Sequence, residues 1–429
     1  MNRSRTVLFT LILCITSNFP ALAQVPIPSA AAAADRAVVE SCLQAKAVAA
    51  GIRIVACTIA IETQNLNGHD LAAAYLNRGQ VYRAMGDKSR AEADYKMAVQ
   101  LLGSPEAGER DGEQFVQRGM AQHSLGDLER ALTDYDDAIR LDAGLARARI
   151  DRGVLLASRK AELRLAIMDF DRILALLPDT VSTLILRGDA FASVGEQGRA
   201  LADLDRAIEL APQNPHALVV RGIINARRGE TQRAFADYSR ALAIDAHFVD
   251  ALVNRAAIYS SMGNATLAIR DLNLAIALAP RNALAAYNRG YAHFARREYD
   301  LAIADYTRSI ELDGRMGWAY GNRCLTRTVV GQDLAGALAD CDEALRLQPD
   351  NLQIRESRGF VFLKRGEYDI ALREYDSALR TDPDRPLSLY GRGLARIARG
   401  DVKGGETDRQ AARSLMPGVD TEFSTYGLK

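Results

Sequence analysis

Small, apolar and charged side chains recur along this 429-residue chain in a register of 34. A small residue returns at Gly79, Gly119, Gly153, Gly188, Gly222, Ala256, Gly290, Cys324, Gly359 and Gly393. Twelve residues beyond most of these stands an alanine: Ala91, Ala131, Ala200, Ala234, Ala268, Ala302 and Ala371. Four residues later comes a large side chain, as at Tyr95, Tyr135, Leu204, Tyr238, Leu272, Tyr306 and Tyr375. Proline closes many blocks, at Pro178, Pro212, Pro280, Pro349, Pro383 and Pro417. Turn signals fall between the small residue and the alanine, among them Gly86-Asp87, Gly126-Asp127, Gly195-Glu196 and Gly400-Asp401. Each block therefore reads as two segments folded back on one another, the small residue facing the large one. One such pair cannot bury its apolar face alone, so neighbouring blocks must stack. One-residue additions fall in the third and eighth blocks, and a longer excess at Glu106 to Asp111 precedes the second.

This pattern resembles the tetratricopeptide repeat, a 34-residue helix–turn–helix with small, alanine, large and proline anchors at these offsets. The resemblance covers ten units, about 72–105, 112–145, 146–180, 181–214, 215–248, 249–282, 283–316, 317–351, 352–385 and 386–419. It implies an all-α solenoid wound as a right-handed superhelix. Cys42 to Thr63 reads as a shortened, degenerate unit with its turn near Ala49-Ala50-Gly51, within a helical pair at 35–70. The tail at 420–429 offers Phe423 and Tyr426 to cover the bare last face, as stacked repeats require. The type suggested is an exported bacterial one with an Asn/Arg-Gly variant of the repeat, as in Asn77-Arg78-Gly79 and Asn288-Arg289-Gly290.

One departure from the family pattern is consistent. Position 7 is Arg in all ten units: Arg78, Arg118, Arg152, Arg187, Arg221, Arg255, Arg289, Arg323, Arg358 and Arg392. Position 23 is acidic in all ten: Asp94, Asp134, Asp169, Asp203, Asp237, Asp271, Asp305, Asp340, Glu374 and Asp408. Both lie on one flank of the hairpin, their heights differing by only ~3 Å at a rise of about 1.5 Å per residue. Because every cation is matched, an internal ladder of ion pairs is expected in preference to a basic stripe for an acidic partner.

Charge and composition narrow the partners. Lys and Arg number 54, Asp and Glu 54, which argues against a strong electrostatic footprint for nucleic acid or anionic lipid, and no nucleic-acid partner is expected. The 15 Tyr, 11 Phe and single Trp are too few for a large aromatic core and suit thin helical layers. Arg3 and Arg5, the apolar run Val7 to Ile15 and Ala21-Leu22-Ala23 read as a secretory signal over 1–23, cleaved near Ala23. That run is far shorter than the roughly 20 residues of a membrane span, and no later segment approaches one. A flexible leader at 24–34 follows. The expected product is periplasmic or secreted, with no membrane span.

Four cysteines remain after cleavage: Cys42, Cys57, Cys324 and Cys341, which permit three complete pairings. Cys324 stands at the small position and Cys341 at the facing large position of one unit. Cys42 and Cys57 flank the turn of the degenerate unit. Bridges Cys42–Cys57 and Cys324–Cys341 are the expectation in an exported chain, with buried thiols and a metal site as the alternatives. No histidine flanks any of them, which weighs against zinc.

No cofactor, metal or catalytic residue is expected. His69, His123, His216, His247 and His293 are scattered over different repeat positions, and no phosphate loop, nucleophile elbow or H-E-x-x-H occurs. The family resemblance places first-helix positions 2, 5, 9, 12 and 13 on the concave face. In early units these are mixed, including Leu76, Gln80, Arg83, Glu113, Val116, Met120 and His123. In units seven to ten they become Tyr287, Tyr291, Phe294, Trp318, Leu325, Phe360, Leu363, Tyr390, Leu394 and Ile397. That set reads as a groove for a protein or peptide partner, or as a surface buried against the tail or the next turn. The function expected is an exported scaffold for protein–protein interaction in the bacterial envelope; the alternative is noncovalent binding of a small molecule or glycan in the groove.

Overall fold

The computed structural model describes residues 30–43, 49–63, 66, 68–103 and 111–427; the signal and most of the leader lie outside this range. Among the described residues the regular structure is helical throughout, with 23 α-helices and one 3₁₀ turn. The chain divides into two compact units, residues 1–155 and 156–429.

The first unit begins with α1 (Ala30–Leu43) and α2 (Ala50–Glu62). The pair starts earlier than its expected bound at residue 35, inside the stretch assigned to the leader. Ala50 and Gly51, expected in the turn, are instead the first residues of α2. Two hairpins follow, α3 (Gly68–Ala84) with α4 (Lys88–Leu101), and α5 (Gly112–Leu125) with α6 (Leu128–Leu141). α7 (Ala146–Ala157) spans the division between the units.

In the second unit α8 (Leu163–Leu176) follows a 3₁₀ turn at Lys160–Glu162, which takes up the third repeat's added residue. Hairpins then alternate regularly. They are α9 (Val181–Ser193) with α10 (Gln197–Leu210), α11 (Pro215–Arg227) with α12 (Thr231–Ile244), and α13 (Val249–Ser261) with α14 (Ala265–Leu278). Next come α15 (Ala283–Ala295) with α16 (Tyr299–Leu312), and α17 (Gly317–Val330) with α18 (Leu334–Leu347). α19 (Leu352–Lys364) with α20 (Tyr368–Thr381), α21 (Pro386–Ala398) with α22 (Val402–Leu415), and a short α23 (Val419–Thr425) complete it. In this unit the first helices of successive repeats pack on one another, whereas the second helices pack on first helices, with α22 also touching the short α23. First helices thus line the inner face of the row.

The hairpins close because the anchors are complementary in size. A β-carbon added to Gly79, Gly119, Gly222 or Gly290 would sit 2.6 to 2.8 Å from the ring of Tyr95, Tyr135, Tyr238 or Tyr306, respectively. Where the large residue shrinks to Leu272, the small one is Ala256, and both are fully buried. The alanines that follow the turn are buried too, so the helices approach backbone to backbone. Turn glycines such as Gly86, Gly229 and Gly366 have φ between +73° and +83°, a conformation that costs other residues about 1 kcal/mol or more. The second helices start at side-chain caps where position 16 is Asp or Asn, as at Asp87, Asp127, Asn264 and Asp401.

Candidate functional site

Arginine at position 7 reaches across its own hairpin to the acid at position 23. Nine couples have closest nitrogen–oxygen distances of 2.6 to 2.8 Å, from Arg78–Asp94 and Arg118–Asp134 in the first unit to Arg392–Asp408 in the second. Most are bidentate through Nε and Nη2, the stronger geometry for a guanidinium and a carboxylate. The carboxylates are nearly buried; the guanidiniums keep an edge in water.

That edge has a second task, which the repeat pattern did not suggest. Nη1 donates to the side chain at position 25 of the preceding repeat: Arg187 to Asp171 at 2.6 Å, Arg221 to Asp205 at 2.7 Å and Arg392 to Asp376 at 2.9 Å. Asn273 and Thr307 accept at the same place from Arg289 and Arg323. Position 11 completes the shell. An aromatic ring there lies under the guanidinium, as Phe191 does at 5.6 Å from Arg187 and Tyr259 at 5.7 Å from Arg255. A polar residue there instead donates to the carboxylate, as Asn225 does to Asp237 and Arg396 to Asp408. The cations are therefore spent inside the stack, and the offsets of 16 between the two hydrogen-bonded carboxylates and the arginine were the signal available to find this.

The cysteines meet in pairs. Cys324 and Cys341 are disulfide-bonded with Cα atoms 5.4 Å apart, and Cys42 and Cys57 with 4.7 Å. All four are buried. Among the described residues no cluster of three or more His, Cys, Asp or Glu side chains is arranged to hold a metal.

The concave aromatic set of the second unit does not form one open surface. Tyr291 and Trp318 each keep 46% of their surface in water, with Leu284 equally exposed beside Tyr287 on the same helix. Tyr287 is half-buried; its ring meets Tyr306 at 5.9 Å and its hydroxyl accepts from Asn322 at 3.1 Å. Phe294 leans on Tyr299. Phe360, Leu363 and Tyr390 are buried, and Leu325, Leu394 and Ile397 half-buried, which for these residues is the second of the two expected arrangements and not an open groove. The cover is the chain's own C-terminal segment. Phe423 of α23 stacks 4.6 Å from Tyr390 and 6.0 Å from Phe360, and Tyr426 lies 5.6 Å from Phe360. Asp420 fixes the segment, accepting from Arg413 at 2.8 and 2.9 Å and from the Tyr390 hydroxyl at 2.8 Å. Arg413 and Tyr390 hold this carboxyl well below the ordinary carboxylate range. Ile397 is engaged by the close approach of α21 and α22, since a β-carbon on Gly405 would fall 2.5 Å from it.

Tetratricopeptide-repeat models match residues 72–101 and 115–144, and residues 185–247, 254–315 and 357–412. The chain belongs to the tetratricopeptide-repeat family. Solved structures of similar fold include a human IFIT1 dimer with m7Gppp-AAAA, at a TM-score of 0.53 and 12% identity, covering 89% of this chain and 93% of that one. The APC/C hetero-tetramer Cut9-Hcn1 matches at 0.50 and 15% identity, covering 86% and 90%. A tetratricopeptide repeat protein from Parabacteroides merdae matches at 0.44 and 20% identity, covering 58% and 97%. At their identities the first two likenesses are of fold alone. No curated protein matches the chain in sequence. A tetratricopeptide solenoid suggests a scaffold for protein–protein interaction.

Proposed function

We propose that this tetratricopeptide protein is an exported scaffold that grips a partner protein of the bacterial envelope through the uncovered part of the second unit's concave face. One observation carries the reading. Of the aromatic side chains on that face, Tyr291 and Trp318, on first helices of adjacent repeats, are the exposed ones, while the others are half-buried or buried. Large rings that a protein could bury and does not are favoured anchors for a partner. Export is supported by the signal-like sequence at residues 1–23 and by two disulfides, which persist in oxidising compartments. No helix among the described residues is long and apolar enough to cross a membrane.

A photo-crosslinking amino acid at Leu284, exposed on the same helix as Tyr291, tests the assignment. Crosslinking in periplasm should trap a defined protein, and Tyr291→Ala with Trp318→Ala should abolish that product while leaving the thermal midpoint intact. An unchanged crosslink pattern in the double variant would remove these rings from the partner site.

A further inference from the structure

Four repeats carry an arginine at position 19, near the start of the second helix: Arg90, Arg130, Arg199 and Arg233. In two of them it closes on a ring at position 11. Tyr82 lies 4.5 Å from the guanidinium of Arg90 and 5.9 Å from that of Arg78; Phe191 lies 3.9 Å from Arg199 and 5.6 Å from Arg187. Both rings are buried. In the other two repeats position 11 is an amide, Gln122 or Asn225, and a cleft opens beside the same pair of arginines. In the second unit a cleft of about 380 Å³ is bounded by Leu201, Asp205, Arg221, Asn225, Arg233 and Asp237. In the first unit Arg118, Gln122, Arg130 and Thr133 border one of about 350 Å³. We propose that each cleft receives an aromatic side chain, tryptophan or tyrosine, of a partner polypeptide, set against the two guanidiniums as the resident ring is in the sibling repeats. The clefts lie on the flank that carries the ion-pair ladder, so the proposal does not rest on Tyr291 or Trp318.

Both walls stand in place without the ring. Arg233 pairs with Glu230 three residues before it, as Arg199 does with Glu196, and Arg130 pairs with Asp127 as Arg90 does with Asp87. The inner arginines are fixed as well, Arg221 by Asp237 and Asp205, and Arg118 by Asp134. What differs is the outer guanidinium's surface. The Arg130 and Arg233 side chains are 77% and 74% exposed, against 64% and 60% for Arg90 and Arg199, which have a ring beneath them. A guanidinium is weakly hydrated and stacks readily on an aromatic face. The amide does not take the ring's place: Asn225 turns to Asp237, donating through Nδ2 at 3.2 Å.

Charge and shape select the occupant. Arg221 and Arg233 already meet carboxylates, and Asp205, more than half exposed, stands on the wall of the larger cleft. A phosphate or carboxylate would face that acid with no uncommitted cation in the lining. A nucleotide, which brings a base and a phosphate together, is disfavoured for the same reason. An aliphatic side chain would draw nothing from the guanidinium planes. An uncharged ring with a donor at its edge suits both features: its face meets the cations, and an indole N–H or phenol O–H has the Asp205 carboxylate as acceptor.

Ligand-observed NMR titration of the protein with acetyl-Gly-Trp-Gly-amide, acetyl-Gly-Leu-Gly-amide and adenosine monophosphate tests the clefts. The tryptophan peptide should bind with a dissociation constant of about 1–5 mM, the order expected of a single ring, and the other two at least about fivefold more weakly. Gln122→Tyr with Asn225→Phe installs the rings of the sibling repeats and should weaken the tryptophan peptide at least fivefold. That variant should keep its thermal midpoint, because Tyr82 and Phe191 are accommodated at the same position. Arg130→Ala with Arg233→Ala removes two exposed side chains and should weaken the peptide equally; it decides the matter if the ring-filled variant does not fold. Tyr291→Ala with Trp318→Ala should leave the affinity unchanged, which separates these clefts from the concave face. No binding of the tryptophan peptide at about 10 mM would overturn the proposal. So would equal binding of the leucine peptide, tighter binding of the nucleotide, unaltered affinity in both cleft variants, or loss of all binding with Tyr291 and Trp318.

Discussion

Arg221 meets Asp237 of its own repeat through Nε at 3.0 Å and Nη2 at 2.6 Å, while its remaining nitrogen reaches Asp205 of the repeat before at 2.7 Å. The two carboxylates are not equivalent. Asp237 is nearly buried and Asp205 is more than half exposed. Asp237→Ala removes the two-pronged buried partner of a half-buried guanidinium, leaving it only the exposed Asp205, and should lower stability by about 2–3 kcal/mol. Asp205→Ala should cost less than about 1 kcal/mol, because solvent screens that contact. Urea denaturation followed by circular dichroism compares them, and similar losses for both would show that burial does not set the strength of the ladder.

Glu374 is the one position-23 acid longer than aspartate. Arg358 grips it through Nη2 alone, at 2.8 Å, leaving Arg358 Nε and Glu374 Oε2 buried without hydrogen bonds. The extra methylene carries the carboxylate past the two-pronged arrangement seen in the neighbouring repeats. Glu374→Asp should restore it and raise stability by about 1 kcal/mol, the scale of one recovered buried hydrogen bond. A lowered urea midpoint would mean that the longer side chain is itself required by the packing around it.

These couples mark how far the sequence could be read. The ten-fold register of arginine and acid, and the facing of Gly222 with Tyr238, follow from helical geometry at fixed offsets and needed no coordinates. The role of Asp205 was hidden because position 25 varies among Asp, Asn and Thr, so no single residue type marks it. The fate of Phe360 and Tyr390 was hidden for another reason: repeat position places them on the inner face, but only the path of residues 419–426 decides whether that face is open.

Asp420 ties the tail electrostatically. Its folded-state carboxyl is held below its ordinary value near 3.8, first by Arg413 and then by Tyr390. A depressed carboxyl contributes stability above the unfolded value, and that contribution is lost as the pH falls through the folded one. Asp420→Asn should therefore speed amide exchange of residues 419–426 roughly tenfold at pH 7, about 1.4 kcal/mol in local opening, and the gap from the wild type should close in strong acid. Exchange mass spectrometry of the C-terminal peptide reads this directly. Equal protection at pH 7 would assign the anchoring to the ring contacts of Phe423 and Tyr426.

Arg297 occupies the turn position that glycine fills in neighbouring repeats, with φ at +62°. The left-handed conformation penalises its β-carbon, whereas Gly263 and Gly366 adopt it freely. Arg297→Gly should raise stability by about 0.5–1 kcal/mol, the relief of backbone strain slightly exceeding the added entropy of the unfolded chain. A fall in the thermal midpoint would show that the Arg297 side chain makes contacts worth more than the strain it imposes.

Cys324 and Cys341 take the places held elsewhere by a small and a large residue, so their bond both crosslinks the eighth repeat and fills its core. Two contributions can be separated by substitution. Cys324→Ala with Cys341→Ala removes the crosslink and leaves the large position underfilled. Cys324→Ala with Cys341→Leu removes only the crosslink, reproducing the Ala256–Leu272 couple two repeats earlier. Closure of a loop of this length is worth about 3 kcal/mol in the chain-entropy model, and the missing side chain roughly 2 kcal/mol more. The Ala/Leu variant should therefore lie between the oxidised wild type and the Ala/Ala variant in denaturation midpoint, and reduction should bring the wild type towards it. If Ala/Leu is no more stable than Ala/Ala, the facing positions of this repeat do not accommodate leucine as those of the sixth do, and the disulfide sets a hairpin spacing of its own.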